Sequence, residues 1–303
     1  MFRTGRTFLA ATAVVLALTA TGCGNKDADG NTVNKAGNSA DKGTSSAPEL
    51  APAAALALVG EKTTAAKSAK SEVTMQVGTG KATTVKGAIS WEHGLQGELA
   101  GTMGGQMAQN LAKAGSDGTF TARYLSDAMY INMGSAMAAQ LGGAHWIKYN
   151  YADLARLMGA AGDSLKSQLQ SSDPVASVRA LIASGKVGKA GTESLNGVQV
   201  TKYTGDLSAS EIAQGTTKGL TQEQVDALQK QFAAAGITSD HIEVWVTGDN
   251  LLVKKVEQMQ SKAGQITTTA TYSDYGTAVT ATAPSESDTV DFTKLVAGAK
   301  SGS

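Results

Sequence analysis

The stretch SEVTMQVGTGKATTVKGAISW, residues 71–91, decides the predicted fold. Val73, Met75 and Val77 alternate with polar residues, as they would on a strand that buries one face. Gly78-Thr-Gly80 then supplies a turn, because glycine adopts the backbone angles that tight turns require. The returning strand continues the apolar face with Val85, Ile89 and Trp91. After a turn at Glu92-His93-Gly94, a third strand follows with Leu95, Leu99 and Met103. We therefore predict an antiparallel meander whose apolar side chains share one face.

The same alternation returns further along the chain, separated by segments with helical periodicity. Helices are predicted over Glu49–Ser68, from Asp173-Pro174 to Gly185, and from Thr221 to Gly236 with a stripe of Val225, Leu228 and Phe232. Further strands are predicted over Phe120–Tyr124, Met129–Met133, His145–Tyr151, Val198–Tyr203, Ile242–Val246, Leu251–Met259, Ile266–Tyr272 and Ala278–Ala283.

These elements predict an α+β fold, with one long antiparallel sheet and helices gathered on one of its faces. No strand–helix–parallel-strand rhythm occurs, which argues against a doubly wound nucleotide-binding fold. Gly87, Gly97 and Gly101 fall inside predicted strands, where glycine indicates strong bending of the sheet.

The N-terminus has the layout of a secretory signal peptide that ends at the chain's single cysteine. Arg3 and Arg6 precede the apolar run Phe8–Leu18, and Ala20-Thr21-Gly22-Cys23 resembles the lipobox of bacterial lipoproteins, with Ala20 where leucine is usual. The alternative is a free or buried cysteine behind an ordinary cleavage site. We predict a Sec-exported signal peptide over residues 1–22, acylation of Cys23, and a flexible polar linker over residues 23–48. The folded domain then covers residues 49–303.

Charge and cysteine content narrow the classes of partner. Removing residues 1–22 leaves 24 basic and 26 acidic residues, so there is no basic field for nucleic acid and no polybasic patch for anionic lipid. A single cysteine forbids an intramolecular disulfide bond. Membrane attachment should therefore come from acyl chains on Cys23, and we expect a monomer.

No catalytic, metal-binding or cofactor-binding constellation stands out. The three histidines His93, His145 and His241 fall at predicted turns or strand ends. His241-Ile-Glu243 puts two possible metal ligands on one strand face, but no third ligand has usable spacing. We predict no metal, no cofactor and no enzymatic activity.

The remaining feature is an apolar face that is rich in methionine, a side chain that adapts to irregular or flexible apolar partners. This face is either a packed core or a cavity for acyl chains, and the core is the safer reading for any single residue. The candidate cavity residues are Val73, Met75, Ile89, Trp91, Leu99 and Met129.

The order of several segments resembles a known lipoprotein family. After the lipobox and linker come Lys67-Ser-Ala-Lys70, Tyr130-Ile-Asn132, His145-Trp-Ile-Lys148 and the segments that start at Gly197 and Val244. Together they resemble the actinobacterial lipoproteins of the LppX/LprG type, relatives of the LolA/LolB carriers.

The resemblance implies a half-open antiparallel barrel that encloses an apolar cavity and carries acylated glycolipids or other lipids at the outer face of the cell membrane. The runner-up is a non-carrier lipoprotein that docks a partner or sensor protein. A third hypothesis, a hydrolase of envelope lipids, would need a polar cluster inside the cavity.

Overall fold

The computed structural model describes residues 50–158, 173–216 and 222–301. Within these residues, the strands are β1 Ser68–Val77, β2 Thr83–Ser90, β3 Gln96–Thr102, β4 Thr119–Tyr124, β5 Ala128–Asn132, β6 Trp146–Asn150, β7 Gly188–Leu195, β8 Val198–Ser208, β9 Ser239–Thr247, β10 Leu252–Ser261, β11 Gly264–Ser273 and β12 Thr289–Asp291. The helices are α1 Pro52–Ala65, α2 Gly105–Lys113, α3 Ser135–Ala138, α4 Tyr151–Met158, α5 Ala176–Ser184, α6 Ala209–Thr216, α7 Gln222–Ala235 and α8 Phe292–Ser301.

The described strands form a single open sheet with β12 at one edge and β7 at the other, in the order β12-β6-β5-β4-β3-β2-β1-β11-β10-β9-β8-β7. Neighbours pair antiparallel, as predicted, except that β12 runs parallel to β6. The sheet is therefore mixed, and the prediction of a purely antiparallel sheet is corrected at this edge. The α+β class with one long curved sheet and covering helices is confirmed.

The sheet has an inner face, which the helices cover, and an outer face. The inner face carries the main hydrophobic core, in which α1, α2 and α5 pack on side chains such as Val73, Ile89 and Ile242. The outer face is more polar and has two small apolar clusters, one around Trp146 and one around Trp245. Strand alternation produces this division, since successive side chains point to opposite sides.

Helices α1 and α5 follow the predicted signals closely. Pro52 starts α1, where a missing backbone N–H costs nothing, and Leu56, Val59 and Thr63 bury one stripe. At the start of α5, a carboxylate oxygen of Asp173 accepts a hydrogen bond from the Val175 backbone N–H at 2.9 Å. Gly185 ends α5 with a φ of 68°, a left-handed conformation that glycine adopts at little cost.

The glycines in β2 and β3 mark the sharpest approach of two strands. A Cβ added to Gly87 would lie 2.0 Å from the Glu98 carbonyl oxygen, and one added to Gly101 would lie 2.0 Å from the Thr84 carbonyl oxygen. Only a residue without a side chain fits at such distances. These distances explain why glycine occupies both positions, and the bending of the sheet there stays a prediction.

The C-terminal segment differs from the prediction. Ala278–Ala283 forms no strand, so the predicted last hairpin is wrong. Instead, the segment crosses the sheet, where the Thr282 carbonyl oxygen accepts a bond from Arg123 at 3.4 Å. It then adds β12 to the β6 edge and ends in α8, whose Phe292 ring lies 4.9 Å from the Tyr149 ring. Chain pairing over such a distance leaves no local periodic signal.

Several predictions lie outside the described residues. These are the signal peptide, Cys23, the linker and the N-terminal cap at Thr221, together with the side chains of Val225 and Leu228. The structure includes α7 over the predicted helix, whereas β7, β12 and α8 were not predicted.

Candidate ligand pocket

A small apolar cavity lies on the inner face, where β1, β2, β3 and β11 meet. Its walls are Ser71, Val73, Val85, Ile89, Leu95, Leu99 and Tyr272. The cavity volume is about 10 Å³, room for about one water molecule. Pockets that hold drug-sized ligands are about 300–1,000 Å³. In the described residues, this part of the inner face is therefore nearly filled by protein atoms.

Strand register brings the walls together. β1 pairs with β11 so that Ser71 lies opposite Tyr272, and β1 pairs with β2 so that Val73 lies opposite Val85. On the next strand pair, Gly87 lies opposite the wall residue Leu99, and the Glu98 carbonyl oxygen occupies the place that a side chain at Gly87 would need. The cavity thus lies where side chains from neighbouring paired strands meet on the inner face.

Two hydroxyl groups in this wall have no hydrogen-bond partner. Ser71 is 6% exposed and Tyr272 is 4% exposed, and neither Ser71 Oγ nor the Tyr272 OH makes a hydrogen bond. Leaving a buried polar group unsatisfied costs about 1–3 kcal/mol. Burial raises the pKa of Tyr272, and the carboxylates of Glu257 and Asp173 raise it further, so the phenol stays protonated.

The structure separates the predicted cavity residues into three groups. Val73, Ile89 and Leu99 line the cavity. Trp91 and Met129 lie in the hydrophobic core outside the cavity lining. Met75 is half-buried further along β1. Their role in lipid binding stays a prediction.

An apolar track leads from the cavity toward solvent. Along β1 the inner face passes from buried Ser71 and Val73 to half-buried Met75 and then to Val77, which is 39% exposed. The paired residues on β11 change in the same way, from buried Tyr272 and Ala270 to half-buried Thr268 and Ile266. From Ser71 to Val77 the track is about 20 Å long at the usual strand rise. This length suits an extended acyl chain that lies along the strands.

Beside the cavity lies a buried charged group that the sequence interpretation missed. Lys255 is 4% exposed, and its Nζ lies 2.8 Å from Ser177 Oγ and 3.0 Å from Glu257 Oε1. Asp240 on β9 is 5% exposed, and its Oδ1 has no partner. Burial, followed by the nearby Glu257 carboxylate, raises the pKa of Asp240 to about 8. The sequence pattern gave no signal for this group, because a bulge in β10 sets the face on which Lys255 lies.

The described histidines do not make a convincing reactive centre. His241 Nδ1 lies 2.8 Å from Asp206 Oδ1, and His241 Nε2 lies 3.3 Å from Thr204 Oγ1. An acid–imidazole–hydroxyl series of this kind also occurs in nucleophilic catalysis, where donors must stabilise an oxyanion. Here the three residues lie on interior strands β8 and β9, whose backbone N–H groups are engaged in the sheet. The geometry therefore lacks an evident oxyanion site.

The described residues contain neither a metal-binding cluster nor a membrane-spanning helix. Among the described residues, no three His, Cys, Asp or Glu side chains are grouped so that they could hold a metal ion. None of the helices in the described part of the chain is long and apolar enough to span a membrane.

Comparison with known sequences assigns the chain to a family. No protein-family model matches it. It is 45% identical over 249 residues to a 31.2 kDa protein of the rplA–rplJ intergenic region of Streptomyces griseus, covering 82% of this chain and 81% of that protein. It is 33% identical over 297 residues to a "putative lipoprotein" of Streptomyces coelicolor, covering 95% and 94%. The chain belongs to the family of these two Streptomyces proteins.

Solved structures similar to this family member include two mycobacterial lipoproteins. The Mycobacterium tuberculosis lipoprotein LppX matches with a TM-score of 0.41 and 16% identity, covering 76% of this chain and 98% of LppX. LprF from Mycobacterium bovis matches with a TM-score of 0.42 and 15% identity, covering 77% and 97%. Both are of the LppX/LprG type that the sequence resembles.

Proposed function

We propose that this family member is an envelope lipoprotein that binds or transfers an acylated lipid or glycolipid on the inner face of its sheet. In this proposal Cys23 carries the acyl anchor and holds the domain at the extracytoplasmic face of the cell membrane. The lipoprotein name of the Streptomyces coelicolor relative supports the anchoring part. A monomer without nucleic-acid partners remains the expectation from composition.

One observation carries the lipid-binding part: the apolar track ends in a cavity with two unpartnered hydroxyls. Apolar walls with a few convergent polar groups are the usual composition of a small-molecule site. Because the hydroxyls of Ser71 and Tyr272 have no protein partner, a bound group would satisfy them at no cost to existing bonds. A core that served packing alone would more often place apolar atoms there.

The cavity must widen before it can hold an acyl chain. Its volume is about 10 Å³, far below that of a drug-sized pocket. The elements that cover this face are helices, and α5 is linked to α1 through a bond of 2.9 Å from Arg179 to Thr64 Oγ1. We expect α1 and α5 to shift together when a ligand enters.

Native mass spectrometry of the full chain tests the proposal. We expect a population that carries a non-covalent lipid in addition to the mass of the N-terminal anchor, and uptake of fluorescent fatty-acyl probes by the lipid-free population. The proposal would be contradicted if the purified chain carried no lipid and also took up none of the probes.

The anchor is tested separately by Cys23→Ser. We expect the variant to lose labelling by a palmitate analogue and to leave the membrane fraction or remain uncleaved. As a matched control, Ser39→Cys in the Cys23→Ser background restores a cysteine at a different linker position, and it should stay unlabelled. Unchanged labelling of Cys23→Ser would place the anchor elsewhere.

A second function is favoured by the same small cavity volume. A lipoprotein that docks a partner or sensor protein needs a filled core, and the cavity has room for about one water molecule. Absence of lipid in the mass spectrum, with the fold intact, would favour this docking function.

A further inference from the structure

Two residues with unpartnered hydroxyl groups, Ser71 and Tyr272, lie at the buried end of the track. Ser71 and Tyr272 lie opposite each other in the β1–β11 register, both line the cavity, and both are more than nine-tenths buried. Their hydroxyl oxygens bond neither to each other nor to any other described group. The remaining walls of the cavity are aliphatic. Two residues with unpartnered hydroxyl groups therefore line the same small space.

We propose that this pair is a subsite for one neutral oxygen atom of a long-chain lipid, such as a hydroxyl or ester oxygen, and that it discriminates against a carboxylate. The inference rests on the proposed lipid-binding function and names the class of ligand. The cavity volume of about 10 Å³ suits one such atom. The chain attached to the oxygen would then lie along the track past Met75 and Val77.

The preference for a neutral group follows from the surrounding charges. No basic residue lines the cavity. The carboxylates of Glu257 and Asp173 act on Tyr272 from the polar side of the wall and disfavour a further negative charge. The nearest buried cation, Lys255, already contacts Glu257 and Ser177. A carboxylate moved from water into this site would lose its hydration without gaining a cation.

Four C16 probes separate the possible ligand chemistries. 1-Hexadecanol and methyl palmitate carry a neutral oxygen, palmitate carries a carboxylate, and hexadecane carries no oxygen. Each probe is supplied from cyclodextrin to the full chain near pH 7, and binding is measured by native mass spectrometry. We expect the neutral oxygenated probes to bind about 3- to 10-fold more tightly than hexadecane, the effect of about one hydrogen bond. Palmitate should bind more weakly than either. The order of the alcohol and the ester identifies which oxygen fits better.

Variants assign the preference to the two hydroxyls. Ser71→Ala and Tyr272→Phe should each reduce the preference for 1-hexadecanol over hexadecane by about 3-fold or more, and the double variant should abolish it. Tyr151→Phe is the matched control, because the Tyr151 hydroxyl is also buried and unpartnered but lies outside the cavity lining. Tyr151→Phe and Tyr272→Phe should change the midpoint of thermal unfolding by similar amounts, and Tyr151→Phe should leave the preference unchanged.

The remaining outcomes contradict the inference in distinguishable ways. Equal binding of all four probes, or a preference that survives the double variant, would overturn the subsite while lipid binding stands. Tightest binding of palmitate would overturn the preference for a neutral group. Failure of the wild-type chain to bind any probe would overturn the proposed function and the subsite together.

Discussion

Lys254 and Lys255 are neighbours on β10, and they lie on opposite faces of the sheet in different environments. Lys254 Nζ lies on the outer face, 4.3 Å from the centre of the Trp245 ring, and Lys202 Nζ lies 4.8 Å from the same ring. Lys255 is buried on the inner face against Ser177 and Glu257. The same side chain thus covers an aromatic ring at one position and neutralises a buried acid at the next.

A bulge in β10 decides which lysine is buried. The register with β9 shifts between Leu252 and Lys254, so that Leu252 and Lys255 point inward while Lys254 points outward. Groups from two other elements hold this bulge. The Leu252 backbone N–H donates to Thr63 Oγ1 of α1 at 3.2 Å, and the Leu252 carbonyl oxygen accepts from the Tyr275 hydroxyl. The difference between the faces is therefore set by tertiary contacts and not by strand alternation alone.

The largest expected loss of stability comes from adding a side chain at Gly101, where β2 and β3 approach most closely. In Gly101→Val the new Cβ would lie 2.0 Å from the Thr84 carbonyl oxygen and 2.8 Å from Val85 Cγ1. We expect a loss of about 4 kcal/mol or more in the free energy of unfolding, or failure to fold, measured by urea denaturation. The control is Ala100→Val, an exposed neighbour on the outer face, which should change the free energy by less than about 0.5 kcal/mol. Equal effects at the two positions would show that the β2–β3 approach is looser than described.

The next prediction compares the loss in the free energy of unfolding when each of the two lysines is replaced. Lys255→Met leaves Glu257 buried without its cation, and removal of one partner of a buried pair costs about 3–5 kcal/mol. Lys254→Met removes a cation–π contact, which costs about 0.5–1 kcal/mol where it is partly exposed. Urea denaturation of both variants near pH 7 measures the difference. If Lys254→Met proves as destabilising as Lys255→Met, the assignment of the lysines to opposite faces is wrong.

The sequence predicted the features that depend on local periodicity. The β1–β2 hairpin and the start of α5 just after Asp173-Pro174 both follow from residue spacing. Glycine was also found where β2 and β3 approach most closely, at Gly87 and Gly101. The inward position of Lys255 could not be predicted, because alternation over Leu251–Met259 gives no sign of the bulge. The parallel β12 was also missed, since its pairing with β6 joins residues far apart in sequence.

The candidate site was predicted in part, for a related physical reason. Val73, Ile89 and Leu99 were found from alternation, and they do line the cavity. Ser71 was missed although it shares their strand phase, because a serine on an apolar face gives no pattern of its own. Tyr272 was read only as a strand residue, because its position opposite Ser71 depends on the long-range pairing of β1 with β11. Polar groups inside an apolar face become visible once the register is known.

The last of these effects concerns the pH dependence of stability that Asp240, an acid on the inner face, confers. Asp240 has a pKa of about 8 in the folded chain, against an ordinary value of 3.8. Between these values the folded chain keeps a proton that the unfolded chain has released, so stability falls as pH rises from about 4 to about 8. Lys255 and the Gln258 backbone N–H favour the ionised form, and the pKa of about 8 already includes their effect. We expect the Asp240 contribution to fall by about 4 kcal/mol between pH 5 and pH 8, which is about 1.4 kcal/mol for each pH unit.

Asp240→Asn should remove this contribution, because the amide does not ionise in that range. The measurement is urea denaturation at several pH values, in which the difference in free energy between wild type and variant should change in favour of the variant as the pH rises. Asp249→Asn, at an exposed turn on the far end of β9, is the control and should leave the pH profile unchanged. A constant difference between wild type and Asp240→Asn from pH 5 to pH 8 would mean that Asp240 is already ionised under Lys255. The inner face would then hold an ionised Asp240 carboxylate. Charged side chains on the inner and outer faces would then differ only in how deeply they are buried.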